Sequence, residues 1–179
     1  MKRLLPRLYK LSKVKVMREE NSTYISPLLS FDLYLEAYHH LIKNLKKEAD
    51  IEQLKFILKG NIGPNIQEML RQEVYEALVL TSFDQHIIWV NNGFTEMTGY
   101  AKNYALGKKP TFLQGEQTSK STIRDIGEQL HCKHGYTGSI VNYRKSGESY
   151  VCQIKILPLY DSKKELTHFI ALEKELLTA

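Results

Sequence analysis

The sequence predicts an α+β fold: a five-stranded antiparallel sheet with helices on one face, preceded by an N-terminal α-helical extension. Two observations carry this prediction. Apolar residues recur at helical spacing between Phe31 and about Gln72. From Val74 onward, short runs of aliphatic and aromatic residues alternate with turn residues, as in strands. We therefore divide the chain into a basic, weakly structured lead-in (1–29), a helical extension (30–72) and a sheet domain (74–176).

The extension is predicted to contain three helices. Ser30 caps the first, and Asp50 with Gln53 resembles a capping box that opens a second, which Gly60 ends. A third helix is predicted from about residue 65 to residue 72. The apolar stripes of these helices must be buried against another surface. They pack against each other, against the following domain or against a second copy of the chain. The stripe of the first helix comprises Phe31, Tyr34, Leu35, Tyr38, Leu41, Ile42 and Leu45.

The sheet domain is predicted from its alternation of strands and helices. Short helices are expected between residues 93 and 104, and a longer helix runs from Thr118 to His134, stopped by Gly135. Two strands precede these helices and three follow them, which favours one antiparallel sheet. The predicted strands are 77–80, 86–90, 136–143, 149–159 and 167–176.

Composition and charge narrow the class of protein. The chain has 179 residues, 42% hydrophobic and 25% charged, which is normal for a globular protein. The sequence has no apolar run of about 18 residues, so it predicts no membrane span. Two cysteines are too few for a disulfide framework. We therefore expect a cytoplasmic protein. The net charge is +5, but seven cations and no acid lie in residues 1–18, which leaves −2 for the remainder. That basic tail can contact nucleic acid or an anionic membrane, or stay solvated.

Three motifs occur in a fixed order: NNGFTEMTGY (91–100), FLQG (112–115) and NYRKSG (142–147). Together they resemble a PAS domain, and specifically its flavin-holding light-oxygen-voltage (LOV) branch. The resemblance covers roughly residues 74–176 and not the first 70. It implies a sensory domain, with a fold that agrees with the prediction made from the strand and helix pattern.

The resemblance also implies where a flavin would be held. In the LOV branch, the photoactive cysteine stands two residues before FLQG, between an asparagine and a phosphate-pairing arginine. In this chain those three places are Lys109, Pro110 and Thr111. Without a thiol at Pro110, no cysteinyl adduct can form there.

Further places differ from the LOV pattern. The second phosphate-pairing arginine falls at Gly127, with Arg124 one helical turn earlier as a substitute. The ring-edge places fall at Asn142 and Cys152, and the switching glutamine falls at Glu173. We therefore expect no cofactor, since flavin mononucleotide is disfavoured by Lys109, Pro110, Thr111, Gly127, Cys152 and Glu173. If a flavin-like ligand is bound, its expected contacts are Phe112, Gln114, Arg124 and Asn142.

The sequence therefore predicts a stand-alone PAS sensory module that signals through protein–protein contacts without LOV adduct photochemistry. We predict no catalytic residues, no metal site and no enzyme activity. Its partner would be another signalling protein or a second copy, bound through residues 31–72 or through the sheet. Two alternatives stay open: a redox sensor that binds flavin or another small ligand, and a dimeric adaptor whose residues 1–18 dock nucleic acid or an anionic membrane.

Overall fold

The computed structural model describes residues 27–176, with side chains from Phe31 onward. The predictions for the basic tail, residues 1–18, and for most of the lead-in lie outside the described residues. The first of two compact units ends at His40 and the second begins at Leu41. The second unit contains the whole sheet.

The order of secondary structure agrees with the sequence prediction, with two differences. The predicted first and second helices are one helix, and a short 3₁₀ helix (η1) precedes the longest helix of the sheet domain. The elements are α1 (Pro27–Ile57), α2 (Pro64–Gln72), β1 (Ala77–Ser82), β2 (Ile87–Val90), α3 (Asn92–Thr98), α4 (Lys102–Ala105), η1 (Pro110–Leu113), α5 (Lys120–His131), β3 (Tyr136–Tyr143), β4 (Ser149–Tyr160) and β5 (Leu166–Leu176).

The predicted break within the extension is wrong, because α1 is one continuous helix of 31 residues that includes this segment. The segment between the two predicted helices, Lys46-Lys47-Glu48-Ala49, consists of good helix formers. Asp50 and Gln53 do not form a capping box. Asp50 Oδ2 accepts a hydrogen bond from Asn91 Nδ2 at 2.9 Å, and Gln53 Oε1 accepts one from Trp89 Nε1 at 3.0 Å. The start of α1 at Pro27 likewise places Ser30 inside the helix and not at its cap.

The five strands form one antiparallel sheet in the order β2-β1-β5-β4-β3. The first strand lies between β2 and β5, so Val79 pairs with Val90 on one side and with Ala171 on the other. Both faces of this interior strand are buried, which is why Ala77 to Leu80 read as a continuous apolar run and not as an alternating one.

Both faces of the sheet are covered. The helices between β2 and β3 cover one face, as predicted, and their core includes Phe94, Leu113 and Leu130. The end of α1 and all of α2 cover the other face, where Ile51, Leu54 and Leu70 are fully buried. The prediction that the extension covers apolar surface on the sheet is thus confirmed for residues from Ile51 onward. No helix in residues 27–176 is long and apolar enough to cross a bilayer.

Candidate functional site

A small cavity lies between the sheet and the elements η1 and α5. Its volume is about 100 Å³. The sheet supplies most of its wall: β1, β3 and β4 contribute two lining residues each, and β5 contributes three. The lining residues are Val79, Thr81, Gln85, Pro110, Thr111, Gln114, Ile126, Leu130, Ile140, Asn142, Ile154, Ile156, Phe169, Ala171 and Glu173.

Six of the lining side chains are polar, and three of them lie where η1, β3 and β5 meet the cavity. Gln114 stands at the end of η1, Asn142 near the end of β3 and Glu173 on β5. Asn142 and Glu173 are almost completely buried. Glu173 Oε2 has no hydrogen-bond partner among the described residues, so the cavity presents an unpaired polar atom inside an apolar wall.

Burial raises the pKa of the Glu173 carboxyl from 4.5 to about 7. Removal from water disfavours the charged form of a carboxyl group. Two neighbours on β4, Tyr150 and Cys152, are also buried, and burial followed by the nearby Glu173 charge raises the pKa of each. Near neutral pH, Tyr150 and Cys152 are therefore neutral, whereas Glu173 changes from the neutral acid to the carboxylate as pH rises through about 7.

Arg144 stacks on the ring of Tyr150 at the edge of the core. The Arg144 guanidinium carbon lies 4.5 Å from the centre of the Tyr150 ring. Its Nη2 contacts Glu175 Oε1 at 2.6 Å, and its Nη1 donates to the backbone oxygen of Met97. The arginine of the NYRKSG motif thus ties the β3–β4 hairpin to α3 and β5, which is a structural role outside the cavity.

The four predicted cofactor contacts separate into two pairs. Gln114 and Asn142 line the cavity. Phe112 packs instead in an aromatic cluster, edge-on to Tyr100 with ring centres 5.1 Å apart. Arg124 is exposed and lies 3.7 Å from Glu128 on the same helix, so neither Phe112 nor Arg124 lines the cavity.

The residues that depart from the LOV pattern also differ in placement. Pro110, Thr111 and Glu173 line the cavity, whereas Lys109 is exposed. Gly127 is exposed on α5, with open space where a side chain would begin. Cys152 is fully buried on β4 but does not line the cavity, and Cys132 is exposed at the end of α5.

Two polar lining residues were missed by the sequence reasoning. Thr81 continues the alternation of Ala77 and Val79 on β1, all three of which face the same side of the sheet. The usable signal was the two-residue period of side-chain direction along a strand, since the polarity of this run does not alternate. Gln85 lies in the β1–β2 turn with a positive φ of 69°, and nothing in the local sequence indicates that this turn reaches the cavity.

A larger groove, about 970 Å³, lies on the opposite side of α3, between α1 and the β3–β4 hairpin. Two ion pairs lie along it: Lys46 is 3.8 Å from Glu96, and Arg144 pairs with Glu175.

The polar groups of the cavity suit a flavin ring, but the cavity is too small to hold one as it stands. An unpaired buried carboxyl beside two amides matches a ring edge that carries both donors and acceptors. A volume of about 100 Å³ is smaller than the ~300–1,000 Å³ typical of ligand sites. A three-ring system is larger than this cavity, so its binding requires the cavity to widen. Among the described residues, no cation lines the cavity.

The fold and the cavity define a sensory domain class, and comparison with known proteins identifies it. The family model for the PAS domain matches residues 76–176, so the chain belongs to the PAS domain family. Within this family it is LOV-like, as its motifs indicate. A blue-light photoreceptor of Listeria monocytogenes is 39% identical over 95 residues, which are 53% of this chain and 37% of that protein.

Two further relatives extend this result. The solved LOV domain of the Erythrobacter litoralis EL346 blue-light activated histidine kinase has a TM-score of 0.55 and 25% identity, over 59% of this chain and 100% of that chain. A blue-light-activated histidine kinase of Brucella canis is 31% identical over 88 residues, which are 49% of this chain and only 18% of that protein. The chain therefore spans well under half the length of these curated relatives.

These comparisons correct the expectation about cofactors. The sequence departures led us to expect none, but the relatives are blue-light photoreceptors and the structural neighbours are LOV domains. A flavin is the cofactor that this likeness indicates, so the expectation of no cofactor is wrong. Of the departures, Pro110, Thr111 and Glu173 line the cavity, together with Gln114 and Asn142, which match the LOV pattern.

Proposed function

We propose that this chain is a flavin-binding PAS sensory module that responds without adduct photochemistry and signals through protein contacts. The observation that carries the proposal is the convergence of Gln114, Asn142 and the unpaired Glu173 on one cavity whose remaining wall is mainly apolar. Such a site orients a planar heterocycle by its polar edge and holds its faces by apolar contact.

The lack of adduct chemistry follows from where the thiols are. Pro110, at the place of the LOV cysteine, lines the cavity and has no nucleophile. Burial raises the pKa of the Cys152 thiol, so it stays protonated and unreactive. Cys132 is exposed at the far end of α5. Neither cysteine is placed to replace the missing one.

The response is then a change in redox state. A bound flavin supplies visible absorption and reversible reduction by an external electron donor. Gln114 and Asn142, as amides, can both donate and accept, so they can follow a ring atom that changes from acceptor to donor on reduction. Their rearrangement would reach the end of η1, which Gln114 follows directly, and β3, which contains Asn142.

The test of this proposal is spectroscopic. The full chain is purified, incubated with flavin mononucleotide and gel-filtered, and we expect a bound flavin absorption band. Blue light should leave the band without reversible adduct bleaching, and dithionite should reduce it. The matched variant Pro110→Cys places a thiol in the cavity wall, and we expect light-driven, dark-reversible bleaching in that variant alone. A chain that retains no flavin would contradict the binding proposal, and bleaching in the parent protein would contradict the redox mechanism.

The contact surface for signalling is proposed from α1. Five of its side chains alternate at spacings of three and four residues, as in the seam of a two-stranded coiled coil. Each is between 49% and 66% exposed, which is too much apolar surface to leave in water. We infer that a second copy of the chain covers this seam. The seam residues are Phe31, Tyr34, Tyr38, Leu41 and Leu45.

The dimer is tested by placing charges in the seam. Leu41→Glu with Leu45→Glu should convert the dimer to a monomer in analytical ultracentrifugation, because buried unpaired carboxylates are costly. Leu33 is equally exposed but lies off the seam, so Leu33→Glu serves as the control and should remain dimeric. If both variants keep the mass of the parent, this face of α1 is not the interface.

A further inference from the structure

Glu173 places a buried carboxyl in the cavity wall, although packing alone does not require a polar group there. It lies within β5, opposite Ala77 on β1 and Ile154 on β4, so its backbone is part of the sheet on both sides. Its side chain is 3% exposed, faces the cavity and has an unpartnered Oε2. An apolar residue would fill this place without the cost of burying a polar group.

The charged and titratable neighbours leave this carboxyl without a counter-charge. On β4 the groups that face it are Tyr150 and Cys152, both neutral because burial raises the pKa of each. Asn142 on β3, Gln114 just after η1 and Gln85 in the β1–β2 turn contribute amides, Thr81 and Thr111 contribute hydroxyls, and α5 contributes apolar side chains, so none of these groups carries a charge. Along β5, Lys174 and Glu175 are less buried and do not line the cavity.

The two protonation states of Glu173 differ in what they can bind. A neutral carboxylic acid donates one hydrogen bond and accepts others, whereas a carboxylate only accepts. A glutamine, like the neutral acid, can do both. The oxidised flavin ring presents carbonyl and imine acceptors along one edge, and a buried carboxylate would repel them. Only the neutral form of Glu173 is therefore a suitable donor for that edge.

We propose that Glu173 holds the oxidised flavin ring edge as a neutral carboxylic acid, and that its ionisation weakens flavin binding. This inference rests on the flavin binding proposed above. With Glu173 at this place, the affinity for flavin would depend on pH. With a glutamine there it would not, because a glutamine side chain does not ionise. Since burial places the pKa of Glu173 at about 7, the effect falls near neutral pH. By linkage, flavin binding must raise that pKa further.

The test measures the dissociation constant of riboflavin for the full chain from about pH 5 to about pH 9. Riboflavin is chosen because it lacks the phosphate of flavin mononucleotide, whose own ionisation near pH 6 would confound the titration. Circular dichroism confirms that the protein stays folded over this range. The matched variant is Glu173→Gln, which keeps a donor and an acceptor but cannot ionise.

We expect equal affinities of the two proteins at the acidic end. Above the pKa, the dissociation constant of the parent should rise, approaching tenfold per pH unit, while that of Glu173→Gln stays flat. Binding by the parent that is independent of pH, or that tightens as pH rises, would overturn this inference and leave the flavin proposal standing. So would an equal slope in Glu173→Gln. Failure of both proteins to bind riboflavin at any pH would overturn the flavin proposal itself.

A second measurement does not depend on the ligand. Infrared spectra of the ligand-free parent should show the carbonyl band of a protonated carboxyl that disappears as pH rises through about 7, and Glu173→Gln should lack that component. If the parent shows no such component at about pH 5.5, Glu173 is already ionised and the inference is wrong.

Discussion

Asp50 on α1 and Asn91 at the start of α3, 41 residues apart, are joined by a 2.9 Å hydrogen bond from Asn91 Nδ2 to Asp50 Oδ2. The same asparagine uses its Oδ1 to accept from the backbone N–H of Leu78 and of Phe94, both at 3.0 Å. One amide side chain thus fixes α1, β1 and α3 together. The first asparagine of the NNGFTEMTGY motif has a structural role, independent of any ligand.

Asn91→Ala should lower the free energy of unfolding by about 2–4 kcal/mol. The variant loses the N-cap of α3, worth about 1 kcal/mol, and leaves the buried Leu78 N–H unpaired at a further ~1–3 kcal/mol. Urea denaturation measures the change. The exposed neighbour Asn92 is the control, and Asn92→Ala should shift stability by less than about 0.5 kcal/mol. Equal effects of the two substitutions would contradict this role of Asn91.

Two glycines offer opposite outcomes for the same substitution. A Cβ at Gly93 would stand 1.8 Å from the backbone oxygen of Glu76, which no side-chain rotation can relieve. A Cβ at Gly127 on α5 meets nothing within 4 Å. Gly93→Ala should therefore destabilise the protein by at least about 2 kcal/mol, whereas Gly127→Ala should stabilise it by about 0.5–1 kcal/mol through helix propensity. Thermal unfolding distinguishes them. A Gly93→Ala protein as stable as the parent would mean that α3 does not pack this closely on β1.

The stability of the ligand-free protein should fall as pH rises from about 4.5 to about 7. Glu173 has a pKa raised from 4.5 to about 7 in the folded state, so the folded protein holds a proton that the unfolded chain has released. That contribution is complete below pH 4.5 and lost as pH approaches 7. Its size is roughly 3 kcal/mol by linkage. Urea denaturation of Glu173→Gln over the same range should lack this component, and a parallel decline in both proteins would assign it to other groups.

The basic tail gives a prediction that the described residues leave open. Removal of residues 1–18 should leave the sheet domain folded, because the apolar stripes begin after them. If the tail binds nucleic acid, deletion should abolish that binding. The parent's affinity should fall with salt on a log–log plot, with a slope of at most about −6 for its seven cations. Binding that salt does not weaken would exclude the charge mechanism, and retained binding after deletion would place the site elsewhere.

The sequence by itself determined the order of the five strands and the positions of the helices between them, but neither the continuity of α1 nor the 3₁₀ helix η1. Strand alternation, helical stripes and turn glycines are local signals, so they are visible without tertiary contacts. The break predicted at Asp50 failed for the opposite reason. Asp50 and Gln53 carry the pattern of a helix cap, but their partners are Asn91 and Trp89, which lie 41 and 36 residues away. A short stretch of sequence around Asp50 does not contain these partners, so it cannot show that they bind the two side chains instead of the helix backbone.

The candidate site was predictable in part. Gln114 and Asn142 were identified from motifs, and the structure places both at the cavity. Phe112 and Arg124 were predicted from the same motifs, yet one packs among aromatic rings and the other faces solvent. Helical spacing showed that Arg124 could replace an arginine at Gly127, but it does not define which face of α5 lies on the sheet.

Only the tertiary structure decided the state of Glu173. As one residue in a sequence it is an acidic substitution that argues against a flavin. Strand pairing places it between Ala77 and Ile154, under the helices that cover this face, where it is removed from water and from any counter-charge. Burial and pairing are set by contacts between distant segments, so the protonation of this carboxyl, and with it the chemistry of the cavity, is a property of the fold.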